Sequence, residues 1–440
     1  MKHEKFHYKS LEEVRERETE LGVEFPLSEN IAILKEPFTL AGHCVANRIA
    51  IQPMEGSDST ADGRPGEYTK KRYERFAKSG AGLIWLEAVA IAQEGRATPG
   101  QLYITPETLD SFKALVEEIR ETAWKEHHNQ PVIIMQATHS GRYSKPHGYP
   151  EPIIAYNNPL FEKDSPIPQE NIITDERLQE LEEQYALVTR MAQEAGFDGI
   201  DIKCCHRYLN CELLSAYTRP GMYGGSFENR TRFFRNAFAN AKSMAEGNFI
   251  VTSRMNIYDG FPYPYGFGVA EGKGIEPDMT EPIQLVGKLR KLGMELVDIT
   301  IGNPYVNPHV NRPYDMGGYE PPEHPFEGVA RMYQCTKRIA EAYPDLAIIS
   351  SGPSYLRQFS PNLAAGAVEQ GYCTMVGFGR ESFAYPEFIQ DLFEKGSIDS
   401  AKCCITCGKC AELLRASMPA GCVIRNPEYT KVYQELQKKR

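Results

Sequence analysis

The sequence predicts an α/β protein: a TIM (β/α)8 barrel with an N-terminal helical extension and a small Cys-rich C-terminal segment. Three observations point there. Apolar runs of strand length alternate with helical periodicity eight times over about 350 residues. One strand, ending at Ile202, runs straight into Lys203, Cys204, Cys205, His206, Arg207 and Tyr208. A strand that ends in titratable groups is how such a barrel presents its chemistry. No G-x-G-x-x-G follows any strand, which counts against the doubly wound alternative.

Residues 1–35 are charged and read as a helical extension, and a turn at 41–44 leads into a first strand at 45–54. Strand 82–90 follows, then a helix at 108–127 with Pro106 just before it. Strand 132–138 precedes a helix at 176–195, whose N-cap is Thr174 or Asp175. Strand 197–202 leads to helix 230–245, and strand 249–255 to helix 281–292, closed by Gly293. Strand 296–300 pairs with helix 328–342, strand 346–350 with a mostly helical stretch at 353–370, and strand 373–376 with helix 385–395. Long connections at 141–175, 259–281 and 303–325 are rich in aromatics, Pro or Gly and are expected to roof the barrel mouth. The chain thus divides into 1–35, a barrel at 36–400 and a C-terminal segment at 401–440.

The balance of 49 basic and 59 acidic residues gives a net charge of −10, which argues against nucleic-acid binding. No run of eighteen apolar residues and no signal-peptide core is present, so no membrane association and a cytoplasmic location are expected. Eleven cysteines, five of them between 403 and 422, suggest metal binding in a reducing compartment. Cys404, Cys407 and Cys410 form C-x2-C-x2-C, and Cys422 returns after eleven intervening residues. Soft thiolates suit zinc or an iron–sulfur cluster. The tight run favours [4Fe–4S], because structural zinc usually takes two separated pairs; a zinc knob is the alternative. Cys403, Cys407 and Cys410 also match a radical S-adenosylmethionine spacing, but that motif belongs near the start of a barrel.

Strands seven and eight end in Ser350-Ser351-Gly352 and Gly377-Phe378-Gly379-Arg380. Paired turns at those two positions make a phosphate site in such barrels. Gln136 ends strand three and Arg254 ends strand five at the same mouth, where an amide and a guanidinium suit the polar edge of a flavin.

The chain resembles the Old Yellow Enzyme family of FMN-dependent ene-reductases. It is most like the iron–sulfur branch that includes 2,4-dienoyl-CoA reductase and trimethylamine dehydrogenase. The resemblance runs from about Leu34 to Pro427 and rests on NRIAIQPM (47–54), GRPGEYTKKRYERFAKSGAGLIWLEA (63–88), EGRATPGQL (94–102), QATHSGR (136–142), GFDGIDI (196–202), YGGSFENRTRF (223–233), SSGP (350–353), GFGR (377–380) and the four cysteines. It implies that Pro53, Met54 and Ala88 line FMN through backbone, that Gln136 and Arg254 bind its ring and ribityl edge, and that Ser351, Gly352, Gly379 and Arg380 hold its phosphate. It also implies a carbonyl-binding pair at Lys203 and His206, a proton-donating Tyr208, and [4Fe–4S] ligation by Cys404, Cys407, Cys410 and Cys422.

Three positions depart from the family pattern. Lys203 stands where many members have His, and its ammonium suits an enolate oxygen. Arg207 stands where Gly is usual; it is read either as a substrate-binding cation or as one half of a salt bridge. Glu55 fills a slot near the flavin that often holds Cys or Thr, where it contacts substrate or flavin, or pairs with Lys203 or Arg254. The two named relatives continue into nucleotide-binding domains, whereas this sequence ends 18 residues after Cys422. Electrons are therefore expected from a separate ferredoxin, flavodoxin or flavin reductase, or from NAD(P)H at the barrel mouth.

The expected reaction is hydride transfer to the activated C=C bond of a conjugated, cyclic enone such as a flavonoid, steroid or bile pigment, in a homo-oligomer. Tyr143, Tyr149, Tyr156, Phe261, Tyr263, Tyr265, Tyr305 and Tyr314 are candidates to clasp such a flat ring. The alternatives are amine oxidation, which cationic Lys203 and Arg207 disfavour, and a zinc-stabilised barrel that binds a ligand without redox chemistry.

Overall fold

The computed structural model describes residues 5–163, 165–315 and 317–439. The first four residues of the expected extension, Asp164 and Met316 in the long connections, and Arg440 lie outside the described residues. Eight parallel strands close into a barrel: β1 (Ile49–Ile51), β2 (Leu83–Ala90), β3 (Val132–Thr138), β4 (Gly199–Ile202), β5 (Ile250–Asn256), β6 (Leu296–Thr300), β7 (Ala347–Ser350) and β8 (Met375–Phe378). Each strand pairs with the next in sequence, and β8 closes on β1 with Val376 opposite Ile49 and Phe378 opposite Ile51.

Side chains alternate between two cores. Ala50, Leu83, Trp85, Val132, Ile134, Ile250, Leu296, Ile349 and Met375 fill the lower barrel interior. Their neighbours along each strand, such as Ile49, Ile51, Ile84 and Ile133, point outward into the helical shell. The stretch 45–54, expected as one strand, divides. His43–Val45 turns back antiparallel on Phe38–Leu40, and Leu40 and Val45 close the barrel floor. Only Ile49–Ile51 joins the sheet.

The helices follow the expected alternation, with local differences. A helix at Glu67–Ala77 fills the first unit. The stretch 353–370 is a 3-10 segment, Pro353–Phe359, broken at Arg357 (φ 47°), before helix Ser360–Glu369. The last barrel helix is split into Arg380–Ala384 and Phe388–Lys395. Beyond it, helices Lys409–Arg415 and Pro427–Lys439 pack through Leu413, Tyr429 and Tyr433. The Ala420 N–H donates to the Gly56 carbonyl at 2.7 Å, which fixes this C-terminal segment over the barrel mouth beside the loop that leaves β1. Among the described residues no helix is long and apolar enough to cross a membrane.

The N-terminal helix Leu11–Leu21 starts at Ser10, whose Oγ accepts from the Glu13 N–H, and stops at left-handed Gly22. Its Glu18 is 8% exposed and accepts from the Phe25 N–H at 2.9 Å. Burial raises the Glu18 pKa from 4.5 to about 7. A carboxyl that binds its proton more tightly when folded stabilises the fold below pH 4.5, and that contribution is lost as pH rises through about 7. Glu18→Gln, which keeps an acceptor without the charge, is therefore expected to match the parent at pH 4. At pH 8 it should exceed the parent by about 1–2 kcal/mol after allowance for solvent screening. Urea unfolding at the two pH values measures this; equal gains at both would refute it.

Candidate active site

Above the apolar floor the barrel interior turns polar, built from strand-end residues. Asp201 Oδ2 accepts from Trp85 Nε1 at 2.9 Å and from Gln136 Nε2 at 2.6 Å, and its Oδ1 accepts from the Arg254 N–H at 2.7 Å. Asp298 Oδ1 accepts from Gln52 Nε2 at 2.9 Å, and its Oδ2 lies 3.3 Å from Arg254 Nε. Burial pushes Asp201 up to about 6 and Asp298 up to about 7, while hydrogen bonds to Asp201 and the Arg254 charge beside Asp298 oppose the rise. These two acids orient Gln136 and Arg254. The sequence reading missed them; the signal was a lone carboxylate inside each of the apolar strands GIDI and LVDIT.

On this layer opens a cavity of about 1030 Å3, its mouth included, which gathers Pro53, Met54, Glu55, Gln136, Lys203, His206, Tyr208, Arg254, Ser351, Gly352, Gly379 and Arg380. Two expected residues lie elsewhere. Ala88 is buried in β2, where its carbonyl accepts from Gln101 Nε2 at 3.2 Å. Arg207 is fully buried and pairs with Asp259 at 3.2 Å, with its guanidinium over the rings of Phe161 and Phe261. That bonding makes Arg207 the salt-bridge cation of the two readings, not a substrate contact. His206 and Arg207 are consecutive left-handed residues, with φ of 63° and 56°. This costly conformation for side chains with a Cβ is braced by the Arg207–Asp259 pair and aims His206 into the cavity.

Glu55 is the hub of a polar cluster at the cavity wall. Lys203 Nζ donates to Glu55 Oε1 at 3.1 Å. Tyr208 OH donates to the same carboxylate at 2.9 and 3.2 Å. The Tyr208 hydroxyl also meets that of Tyr305 at 2.9 Å, and the Lys203 ammonium lies 3.9 Å from the centre of the Tyr208 ring. Glu55 thus pairs with Lys203 rather than with Arg254. Burial, Glu55 and Tyr305 all hold the Tyr208 proton well above the usual phenol range. His206 is driven the other way by burial and by the Arg254 and Lys203 charges, so its ring is neutral. His206 Nε2 has no protein partner although it is buried.

Of the eight loop aromatics expected to clasp a ring, Tyr305 lines the cavity. Tyr143 stacks behind it at 3.9 Å. Tyr149 and Tyr263 are exposed, and the Tyr156 hydroxyl is spent on the Ser215 carbonyl at 2.8 Å.

Two further features suit the bottom edge of a flavin nucleotide. Gly352, at the end of β7, is left-handed at φ 83°, a conformation glycine adopts freely. Arg380 Nη1 is buried without a protein partner in the same cavity. Beside it, Cys404, Cys407, Cys410 and Cys422, together with Cys403, surround a second pocket of about 370 Å3. All five thiols are free. Cys410 and Arg380 line both pockets. Among the described residues no three His, Cys, Asp or Glu side chains converge closely enough to hold one metal ion.

Residues 34–397 match the NADH:flavin oxidoreductase / NADH oxidase family. The chain belongs to that family. It is accordingly an FMN-dependent oxidoreductase related to Old Yellow Enzyme, which sets aside a ligand-binding barrel without redox chemistry. Among family members, an NADPH dehydrogenase of Geobacillus sp. (strain WCH70) is 30% identical over 274 residues, covering 61% of this chain and 73% of that protein. One from Bacillus subtilis (strain 168) is 30% identical over 270 residues, covering 60% and 72%. The fold is shared with a 2-naphthoyl-CoA reductase in complex with 2-naphthoyl-CoA (TM-score 0.74, 19% identity, 92% of this chain) and with histamine dehydrogenase from Rhizobium sp. 4-9 (TM-score 0.70, 19% identity, 92% of this chain). This chain spans 58% and 53% of those two proteins. The Old Yellow Enzyme homologue from Zymomonas mobilis has a TM-score of 0.62 at 20% identity, with 83% of this chain and 94% of that one covered.

Proposed function

We propose that this family member is an ene-reductase that uses FMN and a [4Fe–4S] cluster to reduce a C=C bond conjugated to a carbonyl, in a flat, cyclic substrate. The carrying observation is that Lys203, His206 and Tyr208 face one cavity with Gln136, Arg254 and Arg380. Gln136 and Arg254 would hold the ring and ribityl edge of FMN, and Ser351, Gly352, Gly379 and Arg380 its phosphate. Bound FMN supplies the hydride. Lys203 and the free Nε2 of His206 hold the substrate oxygen and stabilise the charge that develops there. Tyr208 holds the proton for the carbon next to the carbonyl, and its raised pKa keeps the proton in place until that carbon turns basic. The wall of Tyr305 backed by Tyr143 suits a planar ring.

The cluster reading is supported by Cys404, Cys407, Cys410 and Cys422 lining one pocket beside the large cavity, four soft thiols of the kind that ligate a cubane. Its electrons come from NAD(P)H or from a separate ferredoxin, flavodoxin or flavin reductase, in a homo-oligomer of this chain. Cys407→Ser is expected to lose most of its iron and acid-labile sulfide while keeping FMN, as read by iron assay and flavin extraction. Full iron content in that variant would refute the ligand assignment.

Amine oxidation stays in view for one reason. With Arg207 outside the cavity and the Lys203 charge matched by Glu55, the cavity wall leaves the rings of Tyr208 and Tyr305 to face an ammonium group. Tetramethylammonium binding, read from the flavin spectrum, discriminates: the ene-reductase reading expects none.

A further inference from the structure

Arg312 follows the short helix Pro308–Asn311 in the loop after β6, and no motif singled it out. It lines the large cavity with Arg380, Ser351, Gly352, Ser354 and Cys410. The groups that act most on its charge are Arg380, Cys410, Arg415 and Tyr314, with no carboxylate among them. Arg380 likewise keeps a buried Nη1 without a protein partner. Neighbouring guanidiniums in a half-buried cavity repel one another and lose hydration, so the arrangement calls for anions. Two anions are at hand on the reading above. The flavin phosphate falls at Ser351, Gly352 and Gly379. The thiolate-ligated cluster falls at Cys410, on the wall common to both pockets.

We propose that Arg312 is a cation shared by the two cofactors: it binds the FMN phosphate alongside Arg380 and its charge poises the neighbouring cluster. This rests on the FMN and [4Fe–4S] reading. The planar, forked guanidinium meets the phosphate through paired hydrogen bonds, as a lysine cannot. Its charge next to the cluster favours the reduced, more negative state and so raises the cluster potential. A residue serving only the phosphate would leave the cluster potential unmoved.

The test compares parent, Arg312→Gln and Arg312→Lys holoproteins, all checked for iron content and thermal midpoint. FMN release on dilution is followed by the fluorescence of the freed flavin, and the cluster midpoint by an EPR-monitored redox titration. Arg312→Gln is expected to release FMN about tenfold faster and to show a more negative cluster midpoint. Arg312→Lys should restore the midpoint but still release FMN faster than the parent. Parental FMN release from Arg312→Gln, or a parental midpoint in it, overturns the proposal. A parent protein without iron and sulfide overturns the cluster reading itself, and with it the sharing; the iron assay separates that failure from one at Arg312 alone.

Discussion

Replacing Tyr208 by Phe is expected to slow reduction of an enone by about 100- to 10,000-fold while leaving the flavin bound and its visible spectrum intact. The geometry explains both halves. Tyr208 is buried with its hydroxyl against Glu55 and Tyr305, and Gln136 and Arg254, proposed to hold the flavin, rest on Asp201 and Asp298 instead. Loss of one phenol oxygen therefore removes the acid without loosening the ring contacts. The neighbouring Tyr305 hydroxyl, 2.9 Å away, is the natural substitute, so the single variant should fall at the mild end of that range. The Tyr208→Phe, Tyr305→Phe double variant should drop further than the two single effects combined. Stopped-flow reoxidation of the reduced flavin by enone reads this step. An unchanged rate in the double variant would remove both tyrosines from the mechanism.

The second large effect lies under the site. Arg72, in helix Glu67–Ala77, bonds Asp58 at 2.5 and 2.9 Å and Glu87 at 2.5 Å. All three side chains are almost wholly buried. Glu87 Oε2 also accepts from the Gly56 N–H at 2.6 Å, so the triad fixes the residue directly after Glu55. A Cβ on Gly56 would meet Arg72 Nη2 at 2.0 Å, so a larger residue there would have to push the guanidinium off its two carboxylates. Arg72→Met strands two buried carboxylates and is expected to cost about 3–5 kcal/mol of stability. Even with Arg72 present, burial raises Glu87 to about 7. Without the cation it holds its proton more tightly, so the deficit of the variant should shrink as pH falls from 8 to 5. Denaturant unfolding at the two pH values reads this; a deficit independent of pH would show that the carboxylates do not carry the loss.

The barrel was legible because near-continuous apolar runs of strand length, such as GLIWLEAVA, alternate with stretches of helical periodicity, such as 109–127. The first strand, expected at 45–54, was overread because apolar residues lie on both sides of Asn47 and Arg48, and only the fold shows which part plugs the floor. Lys203, His206 and Tyr208 were legible as a strand end. Glu55 was legible as a partner of Lys203 or Arg254, but not of which: it lies 148 residues from Lys203, and nothing local says which cation it meets. Arg207 was left open between substrate and salt bridge because a cation at a strand end looks the same in sequence whether it faces the cavity or the loops behind it. Asp259, 52 residues on, decides that.

The central claim is that Lys203, His206 and Tyr208 present an enone oxygen and α-carbon to a bound flavin. Its most direct test is to photoreduce the purified protein anaerobically and add cyclic enones while following the flavin's visible band. An enone is expected to restore the oxidised spectrum with formation of the saturated ketone, and Lys203→Ala and Tyr208→Phe to slow the recovery. A photoreduced flavin that no enone reoxidises, in a protein whose oxidised flavin is bleached by amines, would contradict this reading.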